Sequence, residues 1–231
     1  MNALTRAEIA QLDAPVVRFE LNGRVIEAPA NRTIIEIADA EGVEIPRLCY
    51  KPGLDKVGNC RACMVEIAGE RVLAPSCCRA PTDGMKVTTD SERAKKSQQL
   101  VLELLLSDMP EEEYTRHNEV DEWAARLGVG KPRFAARPPV APDLSHPAMA
   151  VHLSACIQCT RCVRACRDEQ VNDVIGLAWR GSGEKIVFDM DDPMGDSTCV
   201  ACGECVQACP TGALTPARRI SGFVRRCGWC A

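Results

Sequence analysis

Residues 17–28, VRFELNGRVIEA, alternate apolar and polar side chains on either side of Asn22-Gly23. A period of two around such a dipeptide predicts a hairpin closed by a tight turn. The next segment, TIIEIADAEG, changes period. Ile34, Ile37 and Ala38 share one helical face, Thr33 and Glu36 have capping-box spacing, and Gly42 suits the position just past the helix end. MVEIAGERVLAPS returns to alternation and predicts a second hairpin. Strand, strand, helix, cysteine-bearing loop, strand, strand is an α+β order, with a helix packed across a mixed sheet. Residues 90–107 predict a longer helix whose apolar stretch, LVLELLLSD, is expected to be buried between domains. NEVDEWAARLGVG predicts a short one, with Val120, Trp123, Ala124 and Leu127 in one stripe and Gly128 as its stop. KPRFAARPPVAPDLSHP carries five prolines in seventeen residues, which predicts an extended, stiff connection lying over a surface. DVIGLAWRGSGEKIVFDMDD predicts a third hairpin.

Composition changes this picture in one respect. Trp, Tyr and Phe total nine among 231 residues, whereas there are 15 cysteines. Part of the interior must therefore be filled by something other than aromatic rings, and buried inorganic clusters would fill it. The N-terminus shows no apolar leader behind a basic start, and no run approaches 18 apolar residues, so neither a signal peptide nor a membrane span is expected. A cysteine-rich chain without a leader is expected in the reducing cytoplasm, where clustered thiols are more often metal ligands than disulfides. The odd count also disfavours a fully paired disulfide framework. The net charge of −4, with no large basic block, gives no reason to expect nucleic acid as a partner.

The cysteines are grouped. Cys156, Cys159, Cys162 and Cys166 recur with identical spacing as Cys199, Cys202, Cys205 and Cys209. Three cysteines in so short a loop can wrap three corners of a cubic cluster, while the fourth sits on a following helical turn and points to the other site. The expected ligation is crossed. One [4Fe–4S] cluster takes Cys156, Cys159, Cys162 and Cys209; the other takes Cys199, Cys202, Cys205 and Cys166. Zinc would call for separated CxxC pairs around one tetrahedral ion, a poor description of two CxxCxxCxxxC runs. Pro210 follows the second run as in bacterial ferredoxins, and Arg167 takes that place in the first. Arg161 and Arg164 lie inside the first run, where positive charge would favour the reduced cluster and raise its potential; the alternative is that both point to solvent.

Cys49, Cys60, Cys63 and Cys77 keep the tight CxxC and distant fourth ligand of the plant-type [2Fe–2S] ferredoxins, with a longer first loop. Gly58 stands where that loop must wrap closely. Cys77 is taken as the ligand because Cys78 is one residue out of register, and Cys78 is expected to be a small buried apolar residue.

IPRLCY, GNCRACMVEI and APSC resemble the N-terminal ferredoxin domain of the large iron–sulfur subunit of respiratory complex I. They are also similar to the same domain in NAD-reducing hydrogenases and NAD-dependent formate dehydrogenases. CIQCTRCVRAC and STCVACGECVQACPTGAL resemble the two-cluster domain that follows it in the α subunit of molybdenum or tungsten formate dehydrogenase. The resemblance covers roughly residues 15 to 217. It implies a β-grasp [2Fe–2S] domain over 17–92 after an N-terminal extension (1–16), a helical and proline-rich linker over 93–148, a bacterial-type 2×[4Fe–4S] domain over 149–217 and a basic cysteine-containing tail over 218–231. It implies one [2Fe–2S] and two [4Fe–4S] clusters, with iron held by the cysteines above. It also implies an electron relay between a molybdenum/tungsten–pterin catalytic polypeptide and a flavin/NAD-binding iron–sulfur subunit.

Many members of that family carry a further cluster with the pattern His-x3-Cys-x2-Cys-x5-Cys between the two domains. Here no cysteine occurs from 79 to 155, so that cluster is not expected and His117 reads as a surface histidine. Its absence weighs against the complex I and hydrogenase alternatives. A free-standing ferredoxin-type carrier is the third alternative. The chain carries no substrate-converting site by this reading, and at this length it is not expected to oxidise formate alone. In the tail, Cys227 and Cys230 read as free thiols or the remnant of another cluster motif, with half a site completed by another chain as the alternative, and Arg218, Arg219, Arg225 and Arg226 as a solvated or partner-facing basic end.

Overall fold

The computed structural model describes residues 14–109 and 118–217. His117, Cys227, Cys230 and the arginines of the tail lie outside the described residues. The chain divides into two compact units, one formed by residues up to Arg47 with Lys56–Val101, the other by Leu48–Asp55 with Leu102 onward.

In the first unit β1 (Val16–Leu21) and β2 (Arg24–Pro29) pair antiparallel from Val16↔Pro29 to Leu21↔Arg24. Asn22 and Gly23 have φ of 51° and 81°, the left-handed pair that a type I′ hairpin turn requires. The inward set Phe19, Leu21, Ile26 and Ala28 is buried. Helix α1 (Ile34–Ala40) buries Ile34, Ile35, Ile37 and Ala38. The backbone N–H and hydroxyl of Thr33 both donate to Glu36 Oε2 at 2.8 Å, which closes the helix start. Strands β3 (Met64–Ile67) and β4 (Ala74–Pro75) form the second hairpin.

A fifth strand, β5 (Lys86–Thr88), was not visible in the sequence pattern. It inserts between the hairpins, parallel to β1 and antiparallel to β3, giving the sheet order β2-β1-β5-β3-β4. Three residues are too few to show a period. What holds β5 is non-local: Asn22 Nδ2 donates to Thr89 Oγ1, and Thr89 N donates to Asn22 Oδ1, each at 2.8 Å.

Helix α2 (Glu92–Asp108) leads the chain from the first unit into the second. Gln98 is buried in it and donates to the carbonyls of Met64 and Thr89. The expectation of a helix buried along its apolar stretch needs correction. Leu102 is fully buried, but Leu100 and Leu104 are 41% and 46% exposed, because residues two apart on a helix face different directions.

In the second unit α3 (Glu119–Arg126) starts at Asn118, whose side chain accepts from Val120 N at 3.0 Å, and buries Val120 and Ala124. The proline-rich strap is fastened to α2 at two points. Arg133 forms a two-toothed pair with Glu103 through Nε and Nη2 at 2.6 and 2.7 Å. Arg137 donates its backbone N–H and Nε to Asp108 at 3.0 and 2.6 Å. Beyond the strap, β6 (Met149–Val151) pairs with β9 (Leu214–Pro216) and so joins the two ends of the doubled-cysteine region. The hairpin of β7 (Ile175–Ala178) and β8 (Lys185–Phe188) lies between the two runs, as the sequence predicts. Val151, Ile175, Ile186, Phe188, Met194 and Leu214 form the core against which both cysteine loops pack.

Candidate metal centres

The two cysteine runs repeat in conformation as well as in spacing. Gln158 and Thr160 have φ of 49° and 62°; the equivalent Ala201 and Gly203 have φ of 59° and 82°. Two left-handed residues at fixed places turn successive cysteines of each loop toward one side. For non-glycine residues this geometry costs about 1–2 kcal/mol apiece, so the surrounding fold must impose it. It also aims backbone N–H groups at sulfur. The thiols of Cys156 and Cys159 accept from the N–H of Gln158 and Arg161, and Ala201 N donates to Cys199 Sγ at 3.4 Å. Such bonds stabilise sulfur that carries negative charge.

After each loop comes a short helical turn. Helix α4 (Arg161–Arg164) continues as a π-helical turn, Ala165–Glu169, that carries Cys166. Helix α5 (Glu204–Ala208) ends at Cys209. Cys156, Cys159, Cys162 and Cys209 line one small cavity, closed by Ile186 and Leu214 among others. Burial pushes the Cys156 thiol up to about 11 and Cys159 to about 12, with Cys209 adding to both. Burial drives Cys162 well above the ordinary value, and Cys159, Cys156, Cys209 and Cys205 push it further. Cys205 is pushed up to about 12 by burial and then by Cys199, Cys202 and Cys166. Cys209 thus shares a cavity with the first three cysteines, and Cys166 lies within electrostatic reach of Cys205 in the second run. At neutral pH these buried thiols hold their protons, so taking up metal must release them.

The donor sets are all sulfur, the chemistry that iron–sulfur clusters require. Among the described residues no three Cys, His, Asp or Glu side chains converge on a single metal ion. A four-iron cluster gives each thiolate its own iron corner and tolerates that wider spread. The first set is the more enclosed, since Cys156, Cys159 and Cys162 are all buried. In the second, Cys202 is exposed and Cys199 half-buried.

Of the other predicted ligands, Cys63 and Cys77 are buried in the first unit and Cys60 is half-buried. Ser76 donates its N–H and hydroxyl to the Cys63 carbonyl at 3.1 and 2.8 Å, which ties the Cys77 turn to the CxxC loop. The N-terminus of α1 holds the same turn, through Ile35 N to Ser76 O and Ile34 N to Arg79 O. Arg61 is left-handed, with φ of 59°. Cys49 is buried on Leu48–Asp55, the stretch that groups with the second unit.

One expectation changes, and one of two open alternatives is removed. Cys78 is exposed rather than buried, with its Sγ 3.6 Å from that of Cys77. A Cβ on Gly58, at φ of 60°, would come within 2.9 Å of the Cys78 sulfur, so a side chain there would be strained by the left-handed backbone and would have to displace that sulfur. Arg161 and Arg164 do not point to solvent; they are 4% and 2% exposed. Sequence reasoning missed Glu119, which accepts from Arg161 Nη1 at 2.7 Å and donates its backbone N–H to Pro210 O. It also missed Asp143, which accepts from Met194 N at 2.7 Å on the approach to the second loop. Neither stands in a recognisable local pattern.

Residues 14–92 match the family described as 2Fe-2S iron-sulfur cluster binding domain, and residues 155–213 match the 4Fe-4S dicluster domain family. The chain is 32% identical to the mitochondrial NADH dehydrogenase (ubiquinone) iron-sulfur protein 1 of Solanum tuberosum, an alignment covering 87% of this chain and 27% of that protein. It is 30% identical to the putative formate dehydrogenase YrhE of Bacillus subtilis, over 88% of this chain and 21% of the relative. It is 33% identical to the NADP-reducing hydrogenase subunit HndD of Solidesulfovibrio fructosivorans, over 86% and 36%. The chain thus spans only about a fifth to a third of the length of these relatives. Among solved structures, a chain of an NAD+-reducing [NiFe]-hydrogenase in the H2-reduced state superposes with a TM-score of 0.79 at 27% identity, covering 87% of each chain. The chain therefore joins a 2Fe-2S cluster-binding domain to a 4Fe-4S dicluster domain, as do the iron–sulfur regions of NADH dehydrogenase, formate dehydrogenase-like and NAD-reducing hydrogenase proteins.

Proposed function

We propose that this chain relays electrons in the cytoplasm between a molybdenum- or tungsten–pterin polypeptide that oxidises formate and a flavin/NAD-binding iron–sulfur subunit. The observation that carries the relay is the pairing of thiols. Cys209 lines the same cavity as Cys156, Cys159 and Cys162, Cys166 lies within electrostatic reach of Cys205, and Cys162 of one run is close enough to feel Cys205 of the other; crossed completion of two all-sulfur sets fits this arrangement. The proposed ligands are Cys156, Cys159, Cys162 and Cys209 for one [4Fe–4S] cluster, Cys199, Cys202, Cys205 and Cys166 for the other, and Cys49, Cys60, Cys63 and Cys77 for a [2Fe–2S] cluster. When bound, each cluster supplies one-electron exchange. The chain's part is to hold the sulfurs, point N–H groups at them and exclude water from the first set. No acid, base or nucleophile is needed.

Formate as the electron source is favoured by the formate dehydrogenase-like relative and by the missing cysteines between residues 79 and 155. One observation favours a second reading, a diaphorase-side subunit of an NAD-reducing hydrogenase: the hydrogenase chain is matched over 87% of its own length. Anaerobic copurification from the native source, followed by metal analysis of the bound partners, separates the readings. Molybdenum or tungsten is expected. Nickel would replace the formate reading with the hydrogenase one, and the absence of any partner would leave a free carrier.

A further inference from the structure

Arg161 and Arg164 are both buried, yet they are compensated differently. Arg161 is ion-paired with Glu119 at 2.7 Å and also donates to Leu48 O at 3.0 Å. Arg164 forms no ion pair among the described residues, and its hydrogen bonds there end on backbone carbonyls. Its Nε donates to Thr160 O at 3.2 Å, its Nη1 to Asp55 O, and its Nη2 to both Cys49 O at 2.7 Å and Cys159 O at 3.2 Å. Asp168, which feels its charge, is taken by Arg167. An arginine only 2% exposed and without a carboxylate needs compensation from elsewhere, because burying an unpaired charge is costly. The carbonyl dipoles supply part. Asp55 and Asp168 lie in the same neighbourhood without pairing with it; the thiolate-bound clusters would supply further negative charge, and one nitrogen of Arg164 touches a proposed ligand residue of each of two of them.

We propose that Arg164 is a positioning residue shared by two redox centres: its guanidinium fastens the Cys49 backbone to the Cys159 backbone, and its unpaired positive charge raises the reduction potential of both centres. The proposal rests on the ligand assignment given under the proposed function. Its physical content is a sign. Each centre becomes more negative on reduction, so a fixed buried cation stabilises the reduced form more than the oxidised form.

The test is a redox titration of the full chain, purified anaerobically with its clusters and followed by electron paramagnetic resonance, for the wild type, Arg164→Lys and Arg164→Met. In Arg164→Met the reduced-to-oxidised ratio at a fixed ambient potential should fall about tenfold at the centre that takes Cys159, equivalent to about 59 mV for a one-electron couple. A smaller fall in the same direction is expected at the centre that takes Cys49. Arg164→Lys keeps the charge and should stay near the wild type. Loss of the clusters in Arg164→Met with their retention in Arg164→Lys would also support the proposal. Unchanged potentials in Arg164→Met, a fall in Arg164→Lys as large as in Arg164→Met, or loss of the clusters in both variants would overturn it while leaving the relay standing. A wild type with no cluster signals would remove the relay and this proposal together.

Discussion

Cys209→Ala should abolish the centre built on Cys156, Cys159 and Cys162, although Cys209 lies in the other run. Cys166→Ala should abolish the centre built on Cys199, Cys202 and Cys205. The expected loss is large: about half of the reduced [4Fe–4S] signal and about four irons in either variant. The reason is the helical turn between the third and fourth cysteines of each run. It carries Cys166 and Cys209 out of their own loops, so that Cys209 lines the cavity of the first set and Cys166 comes within electrostatic reach of Cys205. Because thiolate ligation is coupled to folding, each variant should also loosen the region from β6 to β9, while the [2Fe–2S] signal persists. Electron paramagnetic resonance of the reduced variants distinguishes the outcomes. If Cys166→Ala removed only the signal of the centre that takes Cys156, Cys159 and Cys162, ligation would be uncrossed.

Cys77→Ala should remove the [2Fe–2S] signal entirely, and Cys78→Ala should leave all three centres in place. The adjacent sulfurs are 3.6 Å apart, so proximity does not choose between them. Burial and anchoring do. Cys77 is fully buried beside Ser76, whose two bonds to the Cys63 carbonyl fix it against the CxxC loop, whereas Cys78 is exposed over Gly58. Visible absorption and iron content of the two variants, purified anaerobically, decide the matter. A [2Fe–2S] spectrum that survives in Cys77→Ala and disappears in Cys78→Ala would reverse the assignment.

What the sequence made legible was whatever local pattern encodes. The Asn22-Gly23 hairpin, the Thr33–Glu36 cap, the helix that starts at Asn118 and the hairpin between the cysteine runs all follow from period, cap and turn residues close together in the sequence. The doubled spacing of eight cysteines was legible because clusters constrain it so tightly. What was not legible is set across distance. Strand β5 is three residues long and exists because β1 and β3 offer it edges. Gln158, Thr160 and Ala201 take left-handed conformations that their residue types do not advertise, and only Gly203 in that set is a turn former. The burial of Arg161 and Arg164 depends on carbonyls of Leu48, Cys49 and Asp55, more than a hundred residues upstream. No local window shows such a partner, so the sequence left both burial and exposure open for these two arginines. Cys78 misled in the opposite sense: its composition class is buried, but its neighbour takes the interior place.

The central claim is that the chain holds one [2Fe–2S] and two [4Fe–4S] centres. It is tested most directly by iron, zinc and acid-labile sulfide analysis of the anaerobically purified chain, together with Mössbauer spectroscopy of the iron-57 protein. The account predicts about ten irons and about ten sulfides per chain, with the iron divided between two-iron and four-iron environments in a ratio near one to four. Stoichiometric zinc without acid-labile sulfide would contradict it.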